Sequence, residues 1–179
     1  MLAISTGMRR GELLGLRWED VNLERGMLHI RRTLTRARSK VALGELKTPK
    51  SRRSIKLTQG AVEALRAHLS CQMEEIEQMD SLYQDNGLVF ATQVGTLINP
   101  NNFIDRSFKP LLKRAGLPDV RFHDLRHTCA TLLLGRNVNP KIVSEMLGHS
   151  TIAITLDTYS HVLPNMQESA ARALEEALR

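Results

Sequence analysis

The chain has 179 residues, 42% of them hydrophobic and 25% charged, with a formal net charge of +6, a balance that suits one well-filled globular core and excludes wholesale disorder. No stretch approaches the roughly eighteen uninterrupted apolar residues of a membrane span, and the start, Met1 to Gly7, turns polar too soon for a signal peptide. Cys71 and Cys129 frame neither a disulfide nor a zinc site, which fits a reducing, cytoplasmic setting.

The charge is unevenly spread. Residues 1–60 hold 14 Lys/Arg against 5 Asp/Glu, whereas residues 61–179 hold 11 against 14. Between Arg31 and Lys56 there are ten basic residues and one acid, Glu45. Two or three adjacent charges are usually a solvated surface. Ten against one across a strand-like region predicts a face for a polyanion, with counterion release from a nucleic-acid backbone as the driving term.

In chain order, Met8 to Arg17 reads as a short helix capped by Thr6 or Ser5, with Leu13, Leu14 and Leu16 toward a core and Arg9 and Glu12 sharing another face. Val21 to Thr35 alternates around a Glu24-Arg25-Gly26 turn and predicts strands. Leu46 to Leu57 reads as a hairpin with Thr48-Pro49-Lys50-Ser51 at its tip. From Thr58 the period becomes helical to about Met79, with Val62, Leu65, Leu69, Met73 and Ile76 on one stripe. Leu88-Val89-Phe90 predicts an edge strand or buried connector. Asn99-Pro100 opens a helix with Phe103, Phe108, Leu111 and Leu112 inward, ending at Ala115-Gly116. A helix carrying His123 and Arg126 follows, then one from Asn139-Pro140 to Gly148, and a short one near Ile152 to Leu156 that leads to Tyr159. The last segment, 165–179, is amphipathic, with Met166, Ala170, Ala173, Leu174, Ala177 and Leu178 on one side. Together these elements give an α+β fold: a single, mainly helical domain with a small antiparallel sheet of about three strands.

The chemistry concentrates late in the chain. His123 and Arg126, at i and i+3, share a helix face and can address one target. A guanidinium fork beside an imidazole favours phosphate, and Tyr159 supplies a hydroxyl able to attack it. His127 and His161 fit packing or hydrogen-bonding roles. The group His123, His127 and His149 raises a metal site, but such ligands normally need carboxylate or thiolate companions, and none is placed with them; no metal or cofactor is expected. The stretch Lys141 to Ile152 also has the outline of a helix-turn-helix, which would make the chain a DNA-binding regulator without chemistry.

Taken together, Thr6-Gly7-Met8-Arg9-Arg10-Gly11-Glu12-Leu13, Lys47-Thr48, His123-Asp124-Leu125-Arg126-His127-Thr128, Leu147-Gly148-His149 and Asp157-Thr158-Tyr159-Ser160-His161 resemble, in order and spacing, the catalytic domain of the tyrosine recombinases, the phage-integrase family, and especially the integrases of phages and conjugative transposons. The resemblance covers essentially all of 1–179. It implies catalytic roles for Arg9, Lys47, His123, Arg126, His149 and Tyr159: two arginines on the phosphate, a hairpin lysine as acid for the leaving 5′-oxygen, two histidines, and a tyrosine nucleophile. Lys50, across the same turn, and Lys56, further along, are alternatives for the lysine. Either His123 or His149 serves as the base. Glu12 braces the first helix or orients Arg9.

The reaction so implied is site-specific DNA recombination or integration by metal-free transesterification through a 3′-phosphotyrosyl link. The implied partners are double-stranded DNA and further protomers in a synaptic tetramer, with the helix of 165–179 docking in trans. Family members carry a core-binding domain before the Thr-Gly-x-Arg motif, and only five residues precede Thr6 here, so an excised or truncated catalytic domain that binds DNA weakly and salt-sensitively is expected. A regulator or inactive remnant using the same basic face, and a type IB topoisomerase-like enzyme, are the alternatives.

Overall fold

The computed structural model describes residues 1–37, 40–46, 51–160 and 166–179. The short helix predicted over Met8 to Arg17 is helix α2 (Arg10–Leu14), and a further helix, α1 (Leu2–Thr6), precedes it. Gly7, at φ 62°, caps α1 and breaks the run. Thr6 therefore belongs to α1, where its hydroxyl donates to the Leu2 carbonyl at 2.6 Å, and Arg9 takes the position ahead of α2. Leu13, Leu14 and Leu16 are buried as predicted.

The strands are β1 (Val21–Asn22), β2 (Met27–Ile30), β3 (Arg32–Ala37), β4 (Lys40–Glu45) and β5 (Arg53–Lys56). They form an antiparallel three-stranded sheet in the order β1-β2-β5 and a separate two-stranded ribbon, β3-β4. The hairpin predicted over 46–57 is thus corrected: β4 pairs with β3, and β5 crosses to β2, aligning Leu28 with Ile55 and Ile30 with Arg53. Burial decides the pairing, because Leu28, Ile30 and Ile55 close the core together, and strand alternation then turns Arg53 to that same face.

Helix α3 (Gln59–Met79) starts at Thr58, whose hydroxyl accepts from the Ala61 N–H. Val62 and Leu65 enter the core, but Met73 is exposed. The second half of α3 is held instead by buried Gln72, which accepts from Trp18 Nε1 at 2.7 Å and donates to the Leu88 carbonyl at 3.0 Å. Leu88-Val89-Phe90 is a buried connector bridged to Arg17. Helix α4 (Pro100–Phe103), capped by Asn99, passes through a π-helical turn (Ile104–Phe108) into α5 (Lys109–Arg114). The π turn shifts the phase, so Phe108 and Leu112 are buried while Leu111 faces solvent.

Helix α6 (Asp124–Leu134) and helix α7 (Pro140–Leu147) pack with helix α8 (Ile152–Tyr159) around a second small core of Ala130, Leu134, Val143, Leu147 and Tyr159. Helix α9 (Met166–Ala177) closes the chain, with Leu174 62% and Leu178 78% exposed. Among the described residues, no helix is long and apolar enough to cross a membrane.

Candidate active site

The Thr-Gly-x-Arg motif joins the two ends of the chain. The left-handed turn at Gly7 aims its carbonyl at α6, where Arg126 Nη1 donates to it at 2.8 Å. Any side chain at Gly7 would also strike Leu147. Two residues later Arg9 enters the same space, its Nη1 on Glu12 at 2.8 Å and its Nη2 on the Gly148 carbonyl at 3.2 Å. Arg9, His123, Arg126, His149 and Gly148 line a cleft of about 430 Å3.

Arg126 is the most informative residue in that cleft. It is 3% exposed, and its Nη2 is buried without a hydrogen-bond partner. Burial, followed by the positive charges of Arg9 and Arg53, pulls its pKa down to about 10. It remains a cation at neutral pH, held at an electrostatic cost that an incoming anion would relieve.

Glu12 is the centre of the supporting network. It is 2% exposed. Its Oε2 accepts from the Arg9 backbone N–H at 2.9 Å, while Arg53 grips both of its oxygens, at 3.1 and 2.8 Å. Burial alone would raise the Glu12 carboxyl; the Arg53 hydrogen bonds and charge, with help from Arg9, overcome it and hold the pKa below the ordinary value. Arg53 Nε also donates to the Met146 carbonyl at 2.6 Å. A Cβ at Gly148, which sits at φ 69°, would lie 2.8 Å from the Arg53 guanidinium.

Both candidate histidines are held toward their neutral forms. Burial, and then the charges of Arg126 and Arg9, depress His149 to about 4. His123 is lowered by burial, then by His127, Arg126 and Arg9. His149 Nδ1 is 2.8 Å from the Thr155 hydroxyl. When that hydroxyl donates, Nε2 carries the imidazole proton and can offer it to an anion.

Tyr159 stands apart from this group. It ends α8, is 3% exposed and packs in the second core. Its hydroxyl shares a 2.8 Å hydrogen bond with His127 Nδ1, and His127 stacks edge-on against His123 at 5.0 Å. The hydrogen-bonding role read for His127 is therefore met, with Tyr159 as its partner. Burial raises the Tyr159 pKa, against the opposing pull of Arg126, so the hydroxyl stays protonated here.

The structure thus brings Arg9, His123, Arg126 and His149 around one cleft and sets Tyr159 behind it. Lys47, Lys50 and His161 lie outside the described residues. Lys56 donates to the Arg25 carbonyl and lines no part of the cleft. Glu12 braces Arg9 as read from sequence. Arg53 was missed as a site residue because it looked like one more charge in the basic run. Its position two residues before core-facing Ile55 is the signal that could have found it. The same folding back tempers the charge count: Arg31 and Arg32 pair with Asp20, and Arg52 with Glu45. Among the described residues, no cluster of three or more His, Cys, Asp or Glu could hold a metal ion.

The outline of a helix-turn-helix is present at α7, Gly148 and α8. However, α8 exposes Ile152, Ile154 and Leu156, and base edges are read chiefly by polar groups. The helix instead carries Tyr159.

Comparison with known proteins fits this arrangement. Residues 1–166 match the model of the phage integrase family. A tyrosine recombinase XerC-like protein of Caldanaerobacter subterraneus subsp. tengcongensis is 36% identical, aligned over 98% of this chain and 48% of its own length. The ICEBs1 integrase of Bacillus subtilis is 25% identical over 99% of this chain and 48% of its own length, so the chain spans about half the length of these relatives. Among solved structures, the Tn1549 transposon integrase in complex with circular intermediate DNA is similar in fold, at a TM-score of 0.75 and 24% identity, covering 99% of this chain and 58% of that one. The catalytic domain of bacteriophage HP1 integrase superposes at a TM-score of 0.55 and 24% identity, covering 96% and 77%. The chain belongs to the phage integrase family.

Proposed function

We propose that this chain is the strand-cleaving domain of a site-specific DNA recombinase. The observation that carries the reading is the buried, unpartnered Nη2 of Arg126 beside Arg9 in a cleft flanked by two neutral histidines. A phosphodiester brought into this cleft gains charge-assisted hydrogen bonds from two guanidinium groups. Those bonds strengthen as negative charge builds on its equatorial oxygens in the transition state.

In the proposed step the Tyr159 oxygen forms a bond to phosphorus and the bond from phosphorus to the deoxyribose 5′-oxygen breaks. The tyrosyl proton passes to a histidine base, His123 or His149, and Lys47 gives a proton to the leaving 5′-oxygen. The products are a 3′-phosphotyrosyl linkage and a free 5′-hydroxyl. Because the phosphodiester is kept as an ester, a 5′-hydroxyl from another strand can reverse the step without ATP. For this to happen Tyr159 must leave His127 and the end of α8 must move toward the cleft. Further protomers are part of the reading: the exposed Leu174 of α9 and Leu178 just after it suit docking on a neighbour in a synaptic tetramer on duplex DNA.

Incubation with nicked duplex carrying the end sequence of its own element tests the proposal. A covalent protein–DNA adduct is expected with the wild-type chain and none with Tyr159→Phe. A folded wild-type protein that forms no adduct would count against strand cleavage.

A further inference from the structure

Arg53 is a cation of the basic run that neither faces solvent nor lines the phosphate cleft. Its side chain is 7% exposed, and it faces the carboxylate of Glu12, which is 1% exposed. Three parts of the fold meet on it: β5, α2 through Glu12, and the end of α7 through the Met146 carbonyl. The next turn, Gly148-His149, lies against its guanidinium.

The charges show what this accomplishes. Glu12 carries one negative charge and touches two guanidinium groups, Arg9 and Arg53. With both in place the trio keeps a net positive charge, and Arg9, 42% exposed at its side chain, can present it to the cleft. With Arg53 removed, Arg9 and Glu12 would form a neutral pair. Glu12 Oε2, then bonded only to the Arg9 backbone N–H, would also have acceptor capacity left with which to draw the Arg9 guanidinium into a two-point grip, away from any phosphate.

We propose that Arg53 is a positioning residue for the phosphate cleft: by occupying Glu12 it keeps the Arg9 charge available, and by holding the Met146 carbonyl it fixes the turn that carries His149. The inference rests on the phosphate reading of the cleft and adds to it a residue that touches no reacting atom.

The test uses Arg53→Met, Arg53→Lys and the double variant Glu12→Gln/Arg53→Met. Gln at 12 keeps an oxygen for Arg9 but drops the charge that Arg53 offsets. Two readouts are followed: single-turnover adduct formation on the nicked duplex, and titration with inorganic phosphate monitored at the arginine Nε–H resonances. For Arg53→Met the adduct rate should fall about 10²-fold, comparable to losing one preorganised donor to the transition state, and phosphate binding should weaken. The double variant should regain roughly tenfold of that loss, a mid-range coupling for residues in contact. Arg53→Lys keeps the charge but not the fork and should fall between wild type and Arg53→Met.

A purely structural role predicts that the double variant is as slow as the single or slower, and that result overturns the proposal. So does Arg53→Met at wild-type rate and phosphate affinity. If Arg53→Met does not fold, the double variant, which leaves no unpaired buried charge, decides against wild type: an adduct rate about tenfold below wild type supports the proposal, and one about 10²-fold or more below overturns it. Failure of the underlying reading looks different: wild type itself would bind no phosphate and form no adduct.

Discussion

The two halves of the site are built in opposite ways. On one side, Arg126 is bonded to the Gly7 carbonyl, Arg9 to Glu12 and Gly148, and Arg53 to Glu12 and Met146. Each of those bonds joins residues whose positions are fixed by the core, so the cationic cradle is preorganised before any phosphate arrives. On the other side, Tyr159 sits at the last position of a short helix and spends its hydroxyl on His127. On the proposed strand-cleavage reading, the fold fixes the groups that would stabilise charge and leaves the tyrosine to be delivered. On that reading a fixed cradle would cost no reorganisation at the moment of reaction, and a tyrosine held on His127 would have to be released before strand cleavage.

The largest expected effect falls on the cradle. Arg126→Ala removes the buried, unpartnered donor of a residue that lines the cleft, and single-turnover adduct formation should drop about 10²–10³-fold. An unchanged rate in a folded variant would mean the cradle is not where charge is stabilised.

Next is the turn that ties the cradle to the second core. Gly7→Ala combines a left-handed backbone with a collision at Leu147 and should cost about 2 kcal/mol of stability or more, read from chemical denaturation. Equal stability would remove the turn from the account.

A smaller effect distinguishes the two halves directly. His127→Phe keeps a ring in place but releases the Tyr159 hydroxyl. If the bond only restrains the nucleophile, adduct formation should rise by roughly two- to tenfold, the worth of one hydrogen bond. A fall of that size would instead make His127 the acceptor of the tyrosyl proton.

The smallest effect is in pH. His149 has a folded pKa of about 4 against an ordinary 6.5. The unfolded chain therefore binds more protons between these values, and stability is lost as pH falls through that window. Glu12 and Asp124, both with lowered pKa, act in the same direction below about pH 5. The His149 share is accordingly read as the difference between wild type and His149→Asn in thermal midpoint from pH 7 to 4. The variant should show the shallower decline; parallel curves would contradict the assigned shift.

Much of this was legible in the sequence, and the gaps have physical causes. Caps at Thr58, Asn99 and Asn139 marked helix starts because a side-chain oxygen on an early N–H is a local interaction. Strand partnership was not local: nothing near Leu46 to Leu57 says that β5 pairs with β2, and only shared burial of Leu28, Ile30 and Ile55 selects it. A π-helical turn moved Leu111 from inside to outside. The candidate residues stand out in the sequence by type and order, while the Arg53 contacts and the bond from His127 to Tyr159 join elements in ways that sequence spacing does not encode.

The most direct measurement is peptide mapping by mass spectrometry of the adduct trapped on nicked duplex DNA. The account predicts a single modified peptide with a nucleotide 3′-phosphate esterified to Tyr159. Attachment at any other residue, or through a 5′-phosphate, would contradict it.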